Sequence, residues 1–296
     1  METQKYESLS KKWAERNEDL RNSLYAKHKT SLEKAFKNYK HLLLGSVGGL
    51  MLLTAPSPLT LPTPHSLMTI EQVHDQVSKK TSFLSSLAQA LPSDVKALDE
   101  EEENKVSEIL SKNYNLQVEA EINGIRLNTT YGLIGGEQHL YRFPGDTLSK
   151  HAESSEDVEM YLPSGIAPGL GAWGYFSSSS QDFTEEDMLQ ERYYIAVQTF
   201  LAPGFAENVG KYRDFFKYRK MLVVNPKTGQ AVVVVIGDAG PAEWTGKTLG
   251  GSPEVMHYLG LGKGPRKGAV LYFFIDDPDN KVPLGPIESV VKMKFT

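Results

Sequence analysis

Between Tyr131 and Asp146 the chain reads YGLIGGEQHLYRFPGD, and Glu137, His139, Arg142 and Asp146 fall within ten positions among glycines and aromatics. An acid, a base and an anion-binding guanidinium at that density can supply a catalytic carboxylate or a clamp for substrate. The same composition also suits a solvated surface loop. A second candidate is Gly246-Lys247-Thr248, the tripeptide that closes a nucleotide-binding P-loop. That loop needs GxxxxGK[ST], because its backbone amides wrap the phosphates and its Lys opens a helix. Here Pro241 stands where the first glycine belongs, Gly240 leaves the loop one residue too long, and LGGSP after Thr248 cannot continue a helix. The run Gly169 to Gly174, GLGAWG, matches GxGxxG, but Tyr175, Phe176 and four serines follow it, so it reads as a glycine-rich turn. No HExxH, GxSxG or paired-ligand spacing occurs and the chain has no cysteine, so neither a metal, a cofactor nor a serine or cysteine nucleophile is expected.

These residues must be carried by elements that the hydrophobic pattern defines. From Leu116 onward the chain consists of short β-prone runs separated by turns: LQVEAEING, RYYIAVQTFL, RKMLVVN, QAVVVVIG and GAVLYFFID. Asn123-Gly124 is a hairpin-turn signal, and Asn225 to Gly229 makes a tight turn between two of the strongest strands. Ser252-Pro253-Glu254 opens a short helix, with Ser as N-cap and Pro in the first position, and Gly260 ends it. The fold class is therefore mainly β with helical decorations.

Upstream, Ile70, Val73, Val77, Leu84, Leu87 and Leu91 recur at spacings of three and four, with Lys80 filling one slot. This stripe predicts a helix that docks on its own domain or, more weakly, pairs with a second copy through residues 70–91. Asp99 to Glu103, DEEEE, reads as a solvated helix start before Val106. Leu42 to Ala55 is uncharged, follows Lys34, Lys37 and Lys40, and precedes PSPLTLPTP. Its fourteen residues would rise only about 21 Å as a helix, but extension to Phe36 and Leu61 nearly spans a bilayer core of roughly 30 Å. The basic flank places the C-terminal body outside the cytoplasm. A cleaved signal peptide would need an unusually long leader and lacks an A-x-A site. Residues 1–41 carry ten Lys and Arg against six Asp and Glu, whereas the rest of the chain carries a net charge of −9, so nucleic acid is not an expected partner. The organisation expected is a basic cytoplasmic tail at 1–41, a membrane anchor or signal segment at 42–61, a proline-rich spacer and helical linker at 62–111, and a β domain at 112–296.

Taken in order, VVNPKTGQAVVVVIGDAGP, GGSPEVMHYLGL and KGAVLYFFID resemble the RlpA-like branch of the double-psi β-barrels, which includes expansin-type and lytic glycan-active domains. The resemblance covers about the last eighty residues and implies a six-stranded double-psi β-barrel. In the lytic members the signature Asp is a general acid on the glycosidic oxygen, and its matching position is Asp238, whose place before Ala-Gly-Pro equally suits a side chain that bonds turn amides. A lytic transglycosylase expels the leaving sugar with the substrate's own hydroxyl, so one placed acid suffices where a hydrolase needs two carboxylates. The resemblance implies a cell-envelope enzyme of bacterial type acting on peptidoglycan-type glycan; the residues themselves offer Glu137 and His139 as further catalytic candidates, Arg142 as a substrate clamp, and Trp244, Trp173 and Tyr175 as flat faces of a sugar groove or as ordinary core aromatics. The chain departs from the signature at Ala239, where the family has Arg, and at Gln198, near which the family often has His. Those departures leave a non-catalytic glycan- or protein-binding module in envelope assembly as the alternative.

Overall fold

The computed structural model describes residues 70–289. The basic tail and the anchor segment at 42–61 lie outside the described residues, and no helix among those described is long and apolar enough to cross a membrane. Two helices come first, α1 (Ile70–Ala90) and α2 (Glu100–Tyr114), followed by the short strands β1 (Val118–Glu119), β2 (Glu121–Ile122) and β3 (Ile125–Arg126). The main strands are β4 (Tyr131–Gly136), β5 (Tyr194–Val197), β6 (Lys220–Val224), β7 (Ala231–Ala239), β8 (Leu249–Gly251) and β9 (Lys267–Ile275). Helices α3 (Ser155–Met160), α4 (Glu185–Arg192), α5 (Val209–Phe216) and α6 (Pro253–Tyr258) sit between them, and β10 (Gly285–Ile287) follows β9.

The six main strands close on themselves in the order β9, β4, β8, β5, β7, β6 and back to β9. Two of the pairings, β4 with β8 and β5 with β7, are parallel, and the other four are antiparallel. The result is a closed mixed β-barrel, to which β1 adds beside β9 and β10 beside β7. Closure removes the open edges that an isolated sheet would expose.

The apolar runs in β6, β7 and β9 have no polar alternation because both faces are covered. Met221, Val223, Val232, Val234, Ile236, Val270, Tyr272 and Phe274 share one core with Ile134, Ile195 and Leu249. The alternate residues Leu222, Val224, Val233, Leu271, Phe273 and Ile275 share a second core with Phe83 and Leu87 of α1 and Val106, Leu110 and Tyr114 of α2. Part of the stripe predicted over 70–91 thus packs against the barrel's outer face, joined by Phe83, which lies off that stripe. Tyr114 donates to the carbonyl of Gly229 in the β6–β7 turn at 2.9 Å.

Local signals account for the ends of several elements. Asn123 and Gly124 both take positive φ, 53° and 73°, as the two-residue turn between β2 and β3 requires. Asp99 and Glu102 cap α2 reciprocally, and Ser252 accepts from the Val255 amide at the start of α6. The acidic run at 99–103 is not wholly solvated: Glu103 is buried and bonds Arg126 at 2.6 Å and Thr130 at 2.9 Å. The hydrophobic pattern does not mark strands β4 and β8. Each holds glycine at two or three positions, YGLIGG and LGG, which weakens any strand propensity.

Leu87 is fully buried between α1 and the barrel. Leu87→Ala removes a core side chain and leaves a cavity, so unfolding free energy falls by about 2–5 kcal/mol. Urea denaturation of the full chain reads this as a lower midpoint at unchanged slope.

Candidate functional site

Asp238 lies near the C-terminal end of β7, paired with Ala196 of β5. Just before it the register between β5 and β7 slips, leaving Gly237 as an extra residue on β7. A side chain at Gly237 would place its Cβ 2.6 Å from the Cβ of Tyr194, so only glycine passes there. Such a bulge re-aims the residue that follows it. The Asp238 carboxyl is half-buried, and its Oδ1 accepts from the amides of Ala172 at 2.6 Å and Ala239 at 2.8 Å. Burial raises its pKa above the ordinary 3.8, the two amides pull it down, and the negative charge of Glu137 adds to the rise, leaving the net shift upward.

The segment GLGAWG is the clasp that brings Ala172 to this carboxylate. Gly174 takes φ 81° and its amide bonds Gly171 at 3.0 Å, closing the turn. Trp173 Nε1–H donates to the carbonyl of Ile236 at 3.1 Å, two residues before Asp238, so the indole braces the loop on β7. Tyr175 is exposed, and Trp244 is 88% exposed on a single 3₁₀ turn, Glu243–Thr245.

Beside Asp238 the parallel pair β4/β8 sets Gly135 opposite Gly250. The Glu137 side chain lies over Gly250, where a Cβ would stand 2.3 Å from its Cγ, and the Lys247 side chain lies over Gly135, where a Cβ would meet its Cδ at 2.2 Å. Glu137 and Lys247 join there at 2.7 Å. Gln198, buried at the end of β5, donates to the carbonyls of Pro241 at 3.0 Å and Lys247 at 3.3 Å. It thereby holds both ends of the crossing that follows Asp238. The strip Gly246-Lys247-Thr248 leads into β8 rather than a helix.

His139, Arg142 and Asp146 do not join Asp238 at the surface. They are buried, which rules out the solvated-loop reading for these three, and Arg142 lines a cavity together with Phe143, Lys150 and Phe183. Glu191, on the last turn of α4, accepts at Oε1 from the Leu140 amide at 3.1 Å and faces His139 Nδ1 at 3.2 Å. Its Oε2 faces His151 Nδ1 at 3.1 Å. His151 Nε2 meets Asp146 Oδ2 at 2.9 Å, and Arg142 grips Asp146 with Nε at 3.1 Å and Nη2 at 3.2 Å. Burial by itself would lower the His151 pKa, but Asp146 and Glu191 raise it from 6.5 to about 9. Burial likewise opposes ionisation of both carboxyls, and their partners hold both below the ordinary range. Among the described residues, His139, His151 and Glu191 form the one group of metal-ligand type with converging donor atoms, all within 4.8 Å. Sequence spacing missed it because the three residues come from separate segments.

Glu254, in the first turn of α6, is a further buried acid, which the sequence marks only as part of a helix start. Neither of its oxygens has a hydrogen-bond partner; Arg192 Nε stands 3.8 Å away, while Nη1 and Nη2 of the same guanidinium are committed to Glu153 at 2.7 Å and Asp157 at 2.9 Å. Burial, then the charge of Glu191, raises the Glu254 pKa from 4.5 to about 8. No family model matches the chain, and a search of curated proteins returns no match.

The folded protein therefore holds a proton on Glu254 that the unfolded chain releases above pH 4.5. That contribution to stability is full below pH 4.5 and is lost as pH rises toward 8. Glu254→Gln keeps the neutral shape at every pH, so its stability relative to wild type grows across this window, by at least about 1.4 kcal/mol, the equivalent of one pKa unit. Urea midpoints of both proteins at pH 5, 6.5 and 8 measure it.

Proposed function

We propose that the barrel acts on peptidoglycan-type glycan as a lytic transglycosylase of the cell envelope, with Asp238 as general acid, on a double-psi topology. The observation that carries this reading is the state of Asp238: a half-buried carboxyl at the end of a core strand, re-aimed by a bulge, with its pKa raised. A group held protonated closer to neutrality is suited to give its proton to a glycosidic oxygen. Because both amides bind Oδ1, Oδ2 is the oxygen to carry that proton. As the bond from sugar to leaving oxygen breaks, the proton moves onto that oxygen. A hydroxyl of the same sugar then closes on the anomeric carbon and returns its own proton to the carboxylate. Exposed Trp244 offers a flat apolar face of the kind sugar rings stack on. The anchor at 42–61 would hold the chain on the membrane with the barrel outside the cytoplasm, next to this substrate.

The second reading, a module that binds glycan or an envelope protein without cleaving it, draws on the same carboxylate. Two backbone amides on one oxygen are also what a turn brace looks like, and Ala172 and Ala239 make Asp238 a link between the clasp and β7.

Asp238→Asn retains an acceptor oxygen for both amides but cannot deliver a proton. The enzyme reading predicts a loss of about a hundredfold or more in release of anhydro-sugar products from purified peptidoglycan, with little change in melting temperature. A turn brace predicts the reverse, a loss of about 1.5–3 kcal/mol in stability from the weakened charged hydrogen bonds. Wild-type protein that releases no product yet sediments with cell-wall sacculi assigns the binding role instead.

A further inference from the structure

We propose that His139, His151 and Glu191 form a zinc site that fastens the segment 137–151 to α4. The three donors come from different places: a loop after β4, the 3₁₀ turn Leu148–His151, and the last turn of α4. A single ion bound to all three would cross-link them. None of the three is more than 3% exposed, so an ion there would be shielded from substrate, with three protein ligands and a fourth position for water.

The hydrogen-bond arithmetic of the two imidazoles calls for a cation. His151 Nε2 faces Asp146, an acceptor already gripped by Arg142, so Nε2 carries a proton and donates it. In the neutral ring Nδ1 is then a bare lone pair, yet it faces a carboxylate oxygen of Glu191 at 3.1 Å. Two lone pairs at that distance repel unless a proton or a metal stands between them. His139 poses the complementary problem. If Nδ1 donates to Glu191, its Nε2 is a lone pair buried without any partner.

The donor set selects the metal. Two imidazoles and a carboxylate, with no thiolate in the chain, suit zinc. Zinc bonds of about 2.0–2.1 Å in tetrahedral geometry set neighbouring donors about 3.3 Å apart. The donor atoms of His139, His151 and Glu191 lie within 4.8 Å of one another, so an ion would draw them together by several tenths of an ångström or more. Behind the ligands, Asp146 on His151 repeats the carboxylate–histidine–metal arrangement, and the two-point grip of Arg142 fixes Asp146 in turn. A partner of this kind orients the ring and raises its basicity without touching the ion.

The test uses the full chain, stripped with a chelator and titrated with zinc chloride. Calorimetry should read one zinc per chain, and melting temperature should rise by about 5 °C or more at a hundredfold excess over the dissociation constant. X-ray absorption at the zinc edge should show two imidazole nitrogens with oxygen completing the shell. His139→Gln, which preserves volume, should abolish stoichiometric binding, and Asp146→Asn should weaken it about 10–100-fold. The proposal is overturned if folded wild-type protein binds no zinc, in which case protons alone bridge the cluster. It is equally overturned if the edge spectrum shows an oxygen-only shell, or if binding persists unchanged in His139→Gln and so resides on other histidines. None of these readings depends on glycan cleavage.

Discussion

Strands β6, β7 and β9 bury both faces, and most of the architecture follows from accommodating them. One face of each fills the barrel, and the other can only be dry if something covers the barrel from outside. Helices α1 and α2 do this with Phe83, Leu87, Val106 and Leu110, packed against Leu222, Val233 and Phe273. The helices are therefore a wall of the second core, with Leu84 and Ile109 packed against it and only partly buried. A fully paired, doubly covered strand also leaves little freedom to present chemistry along its length. On β7 that freedom begins at Gly237, where the register slips, and Asp238 is the next residue.

The arrangement of side chains at this end of the barrel depends on bare backbone. Gly135 and Gly250 face each other across a parallel pair, and the Glu137 and Lys247 side chains occupy the space that two Cβ atoms would have filled. The ion pair is partly exposed, with side-chain accessibilities of 21% for Lys247 and 28% for Glu137, so its net contribution to stability is about 0–1 kcal/mol. Its consequence is positional. It holds a negative charge close enough to Asp238 to add to the rise in that group's pKa, while Gln198 keeps the crossing from Pro241 to Lys247 against β5.

The sequence revealed the parts whose physics is local. Apolar runs marked β5, β6, β7 and β9, Ser252-Pro253 marked the start of α6, and Asn123-Gly124 marked its hairpin. It concealed what depends on partners far along the chain. Strands β4 and β8 are legible only as a pair, because their glycines make sense once Glu137 and Lys247 lie across them. In the sequence Lys247 stands out only as part of a failed P-loop. The charges at 137–146 suggested water as readily as burial, since a charged residue is buried only when its partner is present, and Glu191 is some fifty residues away. Asp238 was legible through its resemblance and its place before Gly240-Pro241. The amide of Ala172 that binds it comes from 66 residues upstream and could not be read.

The buried network and the barrel end are joined by short stretches of chain. Glu191 precedes β5 by three residues, and β5 carries Ala196, the partner of Asp238. His139 follows Glu137 by two residues, and the intervening Gln138 gives its carbonyl to the hydroxyl of Tyr194, the first residue of β5. The segment between β4 and β5 has few regular elements with which to define its own path. Burying two carboxylates, an arginine and two imidazoles is costly in itself, and a hydrophobic cluster of the same volume could stabilise the domain as well. A charged network differs in tolerating few arrangements, because each misplaced donor or acceptor leaves an unpaired charge in the core. Fixing Glu191 against His139 and His151 therefore selects one path for this segment, and with it the position of Glu137 relative to Asp238.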